Sequence, residues 1–460
     1  MLPPDFVPQL ARIVGEPFVR LDAGALETYG HDALNRPHPP DAVVFPASTA
    51  EVAAVARLCD ARRVPLVPRG AGTGYTGGAV PTQGGLVLSL ERLDRILEID
   101  EENLLAVVQP NVVTGRLQAE VEQRGLSYPP DPASLQKSVI GGNVAECAGG
   151  PHAFKYGTTK RYVLGLEAVL PTGEIVRTGS KAVKNVVGYD LTQLLVGSEG
   201  TLAIVTEIVL RLVPKPPART TIRATFADVT GAVGAVSALI RARVVPAALE
   251  LIDRASLDAV AAYVGTPLAP AGTGALLLLE VDGSPAAVEE EAGRVEEACR
   301  TAGATGLLRA RTEAERDDLW RVRRELSYAL RVIAPLKINH DVVVPRGRVP
   351  QLFAVVDRLR EAHALRIACF GHAGDGNIHV NLMVDPADTG EVERARAAER
   401  RLFEAVVALE GSISGEHGIG FAKAPYLGLE LSPETIALMR RVKAAFDPHG
   451  ILNPGKIFPQ

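Results

Sequence analysis

The sequence predicts an α+β protein of two or three domains, and three observations support this fold class. A chain of 460 residues is too long to fold around one ordinary hydrophobic core. Helical and strand patterns alternate in short units through residues 41–110 and again from residue 160 onward. A proline-rich stretch, PKPPA at 214–218, separates two such regions. Because proline interrupts both helices and sheets, this stretch is the predicted domain boundary.

The first region contains helices, strands and a hairpin in close succession. The segment TAEVAAVARLCDARR repeats apolar residues at helical spacing after the N-cap candidates Ser48 and Thr49. Three further segments are predicted to be strands, namely VPLVP, GLVLSL and DEENLLAVVQP. A second helix, TGRLQAEVEQRG, ends at Gly125, and KRYVLGLEAVLPTGEIV forms a hairpin that turns at residues 171–173. Such short units are typical of an α+β domain.

The region after the proline-rich stretch starts a second unit of the βαβ type. Its first segment, RATFADVTGAVGAVSALIRARVVPAALELID, has the pattern of a strand, a helix and another strand. ALLLLEVDG then predicts a strand, and AAVEEEAGRVEEACRTAG predicts a helix with a charged face. A four-stranded sheet with two helices on one face accommodates this pattern.

The composition is that of a globular protein, with 47% apolar and 22% charged residues and a formal net charge of −5. This balance gives no reason to expect nucleic acid or an anionic membrane as a partner. The uncharged residues 259–279 are interrupted by glycine and proline, so no membrane insertion is expected there. The N-terminal MLPPDFVPQL lacks the pattern of a signal peptide. A reducing, cytoplasmic location is expected, with any membrane association made through partner subunits, because no CxxC pair occurs among Cys59, Cys147, Cys299 and Cys369.

The glycine run PRGAGTGYTGG at 68–78 matches the GxGxxG fingerprint of dinucleotide-binding folds through Gly72, Gly74 and Gly77. That fingerprint requires a helix directly after the glycines, with its N-terminus facing the pyrophosphate. Here Pro81 and a further pair of glycines lead into a strand, so the run does not belong to a Rossmann fold. Two interpretations remain: an anion-binding loop of converging N–H groups beside Arg69, or a flexible surface loop.

A second glycine-rich segment, PPDPASLQKSVIGGNVAECAGG, spans residues 129–150. It combines a Pro-Asp-Pro turn with the pairs Gly141-Gly142 and Gly149-Gly150. Two such segments in one domain, separated by strands and a helix, suit a long cofactor threaded between backbone surfaces.

Two histidine motifs lie in the second half of the chain. CFGHAGDGNIHV at 369–380 places His372 and His379 around a glycine-rich turn, and SGEHGIG at 414–420 places Glu416 beside His417. Taken singly, a histidine such as His372 or His379 is more often a turn or core residue than a ligand. Together they offer two imidazoles and a carboxylate, which is typical of a catalytic metal site with open positions rather than a structural one.

Four motifs in the same order resemble those of the FAD-linked oxidases of the vanillyl-alcohol oxidase/PCMH superfamily. They are PRGAGTGYTGG, PPDPASLQKSVIGGNVAECAGG, VGSEGTLAIVTEI and FDPHGILNPGKIF. Within that superfamily the chain is similar to the D-2-hydroxyacid dehydrogenases, a group of glycolate oxidase catalytic subunits, D-lactate dehydrogenases and D-2-hydroxyglutarate dehydrogenases. The resemblance implies a PCMH-type FAD-binding domain of two α/β subdomains, a ferredoxin-like α+β substrate or cap domain, and a C-terminal helical segment that returns to the flavin. Their expected bounds are 1–216, 217–425 and 426–460.

The same resemblance implies that FAD is bound without a covalent bond, because Thr73 stands where many superfamily members have a flavin-linked histidine. Asn453 is expected to fold the C-terminus back towards the flavin ring. The implied cofactor-binding residues are Arg69, Gly70, Ala71, Gly72, Thr73, Gly74, Tyr75, Pro130, Asp131, Ser138, Gly141, Gly142, Asn143, Gly149, Glu199, Gly200, Ile204, Val205 and Asn453.

For the histidine motifs, the resemblance implies His372, His379 and Glu416 as metal ligands and His417 as the catalytic base. Zinc is the first expectation, with manganese and iron as alternatives, since imidazole and carboxylate ligands suit all three. A divalent cation on the substrate hydroxyl would lower its pKa, and an imidazole could then accept the proton. The expected metal is therefore catalytic.

The substrate carboxylate requires a fixed cation, and arginine binds carboxylates best. Family spacing favours Arg323 in DDLWRVRRELS, with Arg321 and Arg324 as alternatives, and adds Lys337 as a second candidate. The chain departs from the family pattern here, because this lysine stands two positions earlier relative to Asp341 than expected. The alternative occupants are Asn339 and His340.

The expected reaction is the oxidation of a small D-2-hydroxy acid, glycolate or D-lactate, to the 2-oxo acid, with hydride passing from C2 to flavin N5. No nicotinamide fingerprint or iron–sulfur cysteine cluster is visible, so the electrons are expected to pass to a separate acceptor protein or quinone-linked partner. The alternatives are a non-catalytic FAD-binding subunit of a multi-subunit oxidase and a D-2-hydroxyglutarate dehydrogenase. A metal-dependent hydrolase would leave both glycine-rich segments unexplained.

Overall fold

A computed structural model describes residues 2–459, which divide into two compact units. The units alternate along the chain, and the last stretch of chain rejoins the first unit. The first unit contains residues 1–149, 158–215 and 416–460, and the second contains residues 150–157 and 216–415.

The strands of the described residues are short in the first unit and longer in the second. In chain order they are β1 (Val19–Arg20), β2 (Ala42–Val44), β3 (Leu66–Arg69), β4 (Leu86–Ser89), β5 (Ile96–Asp100), β6 (Leu105–Val108), β7 (Leu126–Ser127), β8 (Val163–Val169), β9 (Ile175–Gly179), β10 (Ile204–Arg211), β11 (Val213–Pro214), β12 (Ala218–Phe226), β13 (Ala248–Asp253), β14 (Ala275–Gly283), β15 (Gly306–Arg309), β16 (Leu336–Val343), β17 (Arg366–His372) and β18 (Asn377–Val384).

The helices alternate with these strands. In chain order they are α1 (Phe6–Val14), α2 (Ala23–Tyr29), α3 (Thr49–Arg62), α4 (Thr114–Glu122), α5 (Ile140–Glu146), α6 (Ala153–Tyr156), α7 (Leu191–Leu195), α8 (Val229–Arg241), α9 (Arg254–Val264), α10 (Pro285–Thr301), α11 (Glu313–Ala329), α12 (Val349–His363), α13 (Thr389–Ala408), α14 (Leu427–Glu430) and α15 (Pro433–Phe446).

The first unit contains two larger sheets and a two-stranded pair of β7 with β11, and its mixture of helices and sheets agrees with the α+β class expected from the sequence. The first sheet has the order β1-β2-β4-β3, and β2, β4 and β3 run parallel. The second sheet has the order β5-β6-β10-β8-β9 and is antiparallel. Helices α1 and α3 pack on the first sheet around a core that includes Phe6, Leu10, Val52, Leu66 and Leu88.

The local signals read from the sequence explain these elements. Helix α3 begins after Ser48, whose hydroxyl accepts a 3.2 Å hydrogen bond from the Glu51 N–H, so one unpaired amide of the first turn is satisfied. Strands β8 and β9 form the predicted hairpin. Its turn closes with a 2.8 Å bond from the Gly173 N–H to the Leu170 carbonyl, at a φ of +87° that favours glycine.

The second unit is built on one antiparallel sheet of seven strands in the order β15-β12-β14-β13-β17-β18-β16. Helices α9 and α11 pack together over one face, in a core that includes Ile252, Leu276, Leu278, Leu326 and Phe370. Helices α8 and α10 contact each other and strands β12 and β14. Strand β13 lies at the centre of the sheet and all six of its residues are buried.

The four-stranded arrangement expected from the sequence is present as one part of this sheet. Strands β12, β13, β14 and β15, together with α8 and α10, give the ferredoxin-like order β15-β12-β14-β13. Three later strands then extend the sheet beyond β13. The pairing of β13 with β17 joins residues more than a hundred positions apart, so local periodicity could not predict it.

None of the helices within residues 2–459 has the length and apolar character needed to cross a membrane.

Candidate cofactor and active-site residues

The first glycine-rich segment forms a loop that wraps around the side chain of Arg69. This arginine ends β3, is buried, and donates a 2.8 Å hydrogen bond from Nη1 to the carbonyl of His31. Gly72 has a φ of +66°, and a Cβ there would lie 2.1 Å from Arg69 Nη2. Only glycine therefore allows the loop to close over the guanidinium at this point.

The same loop is paired with the chain segment that rejoins the first unit. The carbonyl of Thr76 accepts hydrogen bonds of 3.1 Å from the N–H groups of Phe421 and Ala422. The ring of Tyr75 stacks on that of His417, with centroids 5.3 Å apart. The predicted base His417 is thus held beside the predicted cofactor loop within the first unit.

The second glycine-rich segment approaches the first one backbone to backbone. A Cβ on Gly70 would lie 2.7 Å from Val139 Cγ2 and 3.8 Å from the Gly142 nitrogen. A Cβ on Gly141 would lie 2.5 Å from Pro110 Cβ. The two predicted cofactor segments are therefore brought together, and glycine is required for the approach.

Ser138 and Asn143 belong to a buried polar network around Thr114. The Asn143 amide donates to Thr114 Oγ1 at 2.7 Å, and the hydroxyls of Thr114 and Ser138 lie 3.2 Å apart. This network fixes the start of α5 and holds the Gly141-Gly142 pair in position. Pro130 is held through its carbonyl, which accepts a 3.0 Å bond from Gln118 Nε2.

The remaining predicted cofactor residues lie nearby in the chain or in the core of the first unit. Ala71, Thr73, Gly74, Asp131 and Gly200 are in loops with part of their surface exposed, and Gly200 has a φ of +62°. A Cβ on Gly149 would lie 2.6 Å from Glu416 Oε2. Ile204 packs in the apolar core, and Val205, the next residue of β10, points to the opposite face of the sheet.

Glu199 and Asn453 tie the returning chain segment to the rest of the first unit. The buried Glu199 carboxylate accepts hydrogen bonds from the N–H groups of Ile419 at 2.8 Å and Gly420 at 2.7 Å. The Asn453 amide donates to the carbonyls of Gly78 and Glu199, each at 2.8 Å. These bonds account for the position of both side chains.

A group of buried charges near the glycine loop was not predicted from the sequence. Burial raises the pKa of Asp32 to about 6, and burial together with Glu199 and Asp32 raises the pKa of Glu146 well above its ordinary value. Burial lowers the pKa of Lys456 to about 8, and its Nζ donates to the Val80 carbonyl at 2.6 Å. A single sequence contains no signal that these residues come together.

These features fit FAD. A side chain would clash at Gly70 and Gly72, so the backbone of the first segment can lie close to a bound pyrophosphate. The Oδ1 atom of Asn453 is buried and accepts no hydrogen bond within the described residues. An acceptor left open beside Gly78 is suited to a donor group of a bound molecule.

The two histidines of CFGHAGDGNIHV face each other in the second unit. His372 ends β17 and His379 lies in β18, with a tight turn between the strands. Both imidazoles are buried, and their ring centroids are 5.5 Å apart at an interplanar angle of 83°. The hairpin therefore brings the two predicted ligands together.

A glutamate that the sequence reading missed joins His372 to Arg323. The side chain of Glu250, on β13, is 0% exposed. One carboxylate oxygen bonds His372 Nδ1 and the other bonds Arg323 Nε. Burial alone would raise the pKa of Glu250, but the His372 imidazole and the Arg323 guanidinium lower it well below the ordinary range. The sequence signal that could have identified Glu250 is its charge within the otherwise apolar run ALELI.

Arg323 is the buried member of its arginine cluster. It is 7% exposed and its guanidinium lies over the ring of Phe370, with Cζ 4.9 Å from the centroid. Arg321 and Arg324, on the same helix α11, are exposed. Of the three arginines, only Arg323 points to the face of the sheet that carries Glu250 and His372.

Lys337 lies close to the same helix. Its Nζ donates to Ser327 Oγ at 2.7 Å, and burial, Arg331 and Arg323 lower its pKa to about 8. The two alternative residues have other neighbours. The Asn339 amide donates to Asn381 Oδ1 at 2.8 Å, and the His340 ring packs against Phe403 with centroids 5.2 Å apart.

A second missed carboxylate, Asp341, binds the residue that precedes the Glu-His-Gly motif in the chain. It is fully buried opposite His379 in the pairing of β16 with β18. It accepts a 2.6 Å bond from Asn377 Nδ2 and a 2.9 Å bond from the Gly415 N–H. Gly415 is the last residue of the second unit, and Glu416 and His417 follow it in the first.

Comparisons with known proteins agree with these features. A family described as FAD binding domain matches residues 40–179, and one described as FAD linked oxidases, C-terminal domain, matches residues 215–457. The chain is 44% identical to glycolate oxidase subunit GlcD of Bacillus subtilis (strain 168), over 100% of this chain and 97% of the relative. It is 37% identical to the D-lactate dehydrogenase of Anaerostipes hadrus, over 94% of this chain and 92% of the relative.

A solved structure of p-cresol methylhydroxylase with substrate bound has a TM-score of 0.83 to this chain. It is 18% identical, and the match covers 98% of this chain and 96% of that chain. This likeness confirms the predicted PCMH-type fold. Since the family match spans more than half of the residues and the relatives match nearly the whole length, the chain belongs to the family of FAD-linked oxidases.

Proposed function

We propose that this protein oxidises a small D-2-hydroxy acid, glycolate or D-lactate, with FAD and a divalent cation. The observation that carries the proposal is the buried series His372, Glu250 and Arg323 in the second unit. Through Glu250 it connects the imidazole of His372, a proposed metal ligand, to the guanidinium of Arg323, which can bind a substrate carboxylate. The names of the two relatives described above, a glycolate oxidase subunit and a D-lactate dehydrogenase, point to the same substrate class.

The proposed metal ligands are His372, His379 and Glu416, with zinc first and manganese or iron as alternatives. Three features of the second unit support this set. The two imidazoles are buried and face each other, Glu250 occupies Nδ1 of His372 so that Nε2 is the ligand atom, and Asp341 anchors Gly415 immediately before Glu416. When bound, the cation would supply the charge that acidifies the substrate hydroxyl.

The proposed carboxylate site consists of Arg323 and Lys337. Because Glu250 occupies Nε of Arg323, the terminal nitrogens of the guanidinium are the ones left for a substrate oxygen. Lys337 adds a second charge, and the hydroxyl of Ser327 holds its Nζ. Two cations from different elements fix the orientation of a small acid better than one.

The proposed base is His417, which accepts the hydroxyl proton as the C2–H bond breaks. Its ring is held by stacking on Tyr75, and its carbonyl accepts a 3.0 Å bond from Thr76 Oγ1. FAD supplies the acceptor for the hydride that leaves C2. The products are the 2-oxo acid, reduced flavin, which holds the hydride with its two electrons, and a proton on the base.

The proposed route for the electrons is a separate acceptor, an electron-transfer protein or a quinone-linked subunit. The chain offers no cysteine cluster among its four cysteines, which are all free thiols. The first relative is itself named a subunit, which supports a multi-subunit enzyme. Any association with a membrane is proposed to occur through such partners.

The test is the visible spectrum of the purified protein and its dye reduction with glycolate, D-lactate, L-lactate and D-2-hydroxyglutarate, with and without a chelator. We expect a flavin spectrum, turnover with glycolate or D-acids alone, and loss of turnover with the chelator. Turnover that survives metal removal would contradict the metal in the proposal. Bound FAD with no turnover on any of these acids would instead indicate a non-catalytic FAD-binding subunit.

A further inference from the structure

Glu250 is a carboxylate in the middle of the sheet of the second unit. Strand β13 is flanked by β14 and β17, and Glu250 is directly opposite His372 in the pairing of β13 with β17. A charged group at 0% exposure is rare in proteins and costly unless its partners satisfy it fully. Its retention in an apolar strand therefore needs a reason.

The partners of Glu250 supply that reason, because each oxygen is bonded to a different functional side chain. A carboxylate can only accept hydrogen bonds, so His372 must carry its proton on Nδ1, and Nε2 is the nitrogen that bears the lone pair. A histidine that binds a metal commonly donates its other N–H to a carboxylate, which fixes the ring and makes it a stronger ligand.

The other oxygen holds the guanidinium of Arg323 by Nε. Phe370 lies against the same guanidinium, so the arginine is fixed by one polar and one aromatic neighbour. An arginine at 7% exposure with its Nε occupied cannot turn its charge away without leaving one buried oxygen of Glu250 without its charged partner. Its terminal nitrogens therefore keep one direction.

We propose that Glu250 is a positioning residue that holds the metal ligand His372 and the carboxylate-binding Arg323 in a single arrangement. This inference rests on the proposed function. It adds that the cation and the substrate carboxylate are bound in a coupled way, since one rigid group aligns the side chains that receive them. Glu250 itself does not touch the substrate or the cation in this scheme.

The matched control is Glu280, on the neighbouring strand β14. It is also a buried glutamate, at 4% exposure, and its oxygens bond His152 at 3.2 Å, Thr221 at 3.1 Å and Trp320 at 3.2 Å. None of these neighbours is a proposed ligand or substrate-binding group. Glu280→Gln therefore reproduces the loss of a buried carboxylate without affecting His372 or Arg323.

The experiment uses FAD-loaded, metal-depleted protein and measures zinc affinity by competition with a chromophoric chelator, and separately KM and kcat for D-lactate or glycolate. A glutamine at position 250 can accept from one partner but presents an NH2 group to the other, so Glu250→Gln disrupts at least one contact. We expect zinc affinity to fall about 10- to 100-fold and KM to rise. In Glu280→Gln neither quantity should change. FAD content and melting temperature check that both variants fold.

Wild-type zinc affinity and wild-type KM in Glu250→Gln would overturn the inference, and so would equal losses in Glu280→Gln. If Glu250→Gln fails to retain FAD, Glu250→Asp takes its place, because it keeps the charge while the side chain is one methylene shorter. The same outcomes then apply. Failure of the proposed function is a different result, since the wild-type protein would then neither bind zinc nor oxidise a 2-hydroxy acid.

Discussion

The side-chain amide of Asn453 donates a 2.8 Å hydrogen bond to the carbonyl of Gly78, 375 residues earlier in the chain. A second 2.8 Å bond from the same nitrogen reaches the carbonyl of Glu199. Asn453 is buried and has a φ of +44°, a conformation that asparagine tolerates better than most residues. One amide thus fastens the returning C-terminal segment to the glycine loop of the first unit.

Replacing Asn453 by alanine is expected to destabilise the first unit and weaken FAD binding. Two buried carbonyls would lose their donor, at a cost of about 2–4 kcal/mol in the free energy of unfolding. Urea unfolding and FAD titration of the apoprotein measure both effects. The control is Asn35→Ala, at an exposed asparagine with a φ of 57°, which keeps the backbone strain without removing buried bonds. If both variants lose the same stability and FAD affinity, the cause is the replacement of asparagine at a positive φ and not the loss of the two hydrogen bonds.

Removal of His379 is expected to abolish metal binding without affecting the flavin. His379→Asn keeps a polar residue in β18 but cannot present an imidazole to the cation, so zinc affinity should fall by at least about 100-fold and turnover with it. Elemental analysis, the flavin spectrum and dye reduction measure the three quantities. The half-buried His363, the last residue of α12, gives the control, His363→Asn. Retention of the metal in His379→Asn would remove this residue from the ligand set.

Arg323→Lys is expected to raise KM for the acid and reduce kcat/KM by about 100- to 1,000-fold. Lysine keeps the charge but loses the planar fork that bonds Glu250 and a carboxylate at the same time. Steady-state kinetics measure the effect. The exposed Arg324 of the same helix gives the control, and Arg324→Lys should leave kcat/KM unchanged. A larger loss of kcat/KM in Arg324→Lys than in Arg323→Lys would place the substrate carboxylate on the exposed face of α11.

The features predicted correctly from the sequence are those that depend on local chemistry. Gly72, Gly74 and Gly77 follow a GxGxxG spacing in the sequence, and Gly72 and Gly77 have the positive φ that favours glycine. The glycines between His372 and His379 predict a sharp backbone that aims both rings at one point, and the β17–β18 hairpin brings the two rings together. The boundary residues of α3 followed from its N-cap.

The features that escaped prediction depend on pairing between distant strands. Glu250 and His372 are 122 residues apart, and their contact follows from the register of β13 with β17. Asp341 reaches His379 through the register of β16 with β18 in the same way. A one-residue shift in either pairing would turn these side chains to the opposite face, and one sequence contains no measure of that register.

The pH dependence of kcat/KM should contain a descending limb near pH 8 that belongs to Lys337. Burial lowers the pKa of this ammonium to about 8, so its charge is present below that pH and lost above it. Because kcat/KM reports the free enzyme, it should fall about tenfold per pH unit once Lys337 is neutral. Lys337→Met should lower the plateau and remove the limb.

The effect of Lys337 on the free energy of unfolding has the opposite pH dependence to its effect on substrate binding. The pKa of Lys337 in the folded chain is about 8, below the ordinary 10.5, so the unfolded chain holds the proton more tightly between these values. Lys337 therefore opposes folding below pH 8, and this penalty is relieved as the pH rises from about 8 to 10.5. Urea unfolding of wild type and Lys337→Met across this range measures the difference. If the kinetic limb persists in Lys337→Met, it must be reassigned to another group, such as the buried Lys456, whose pKa is also about 8.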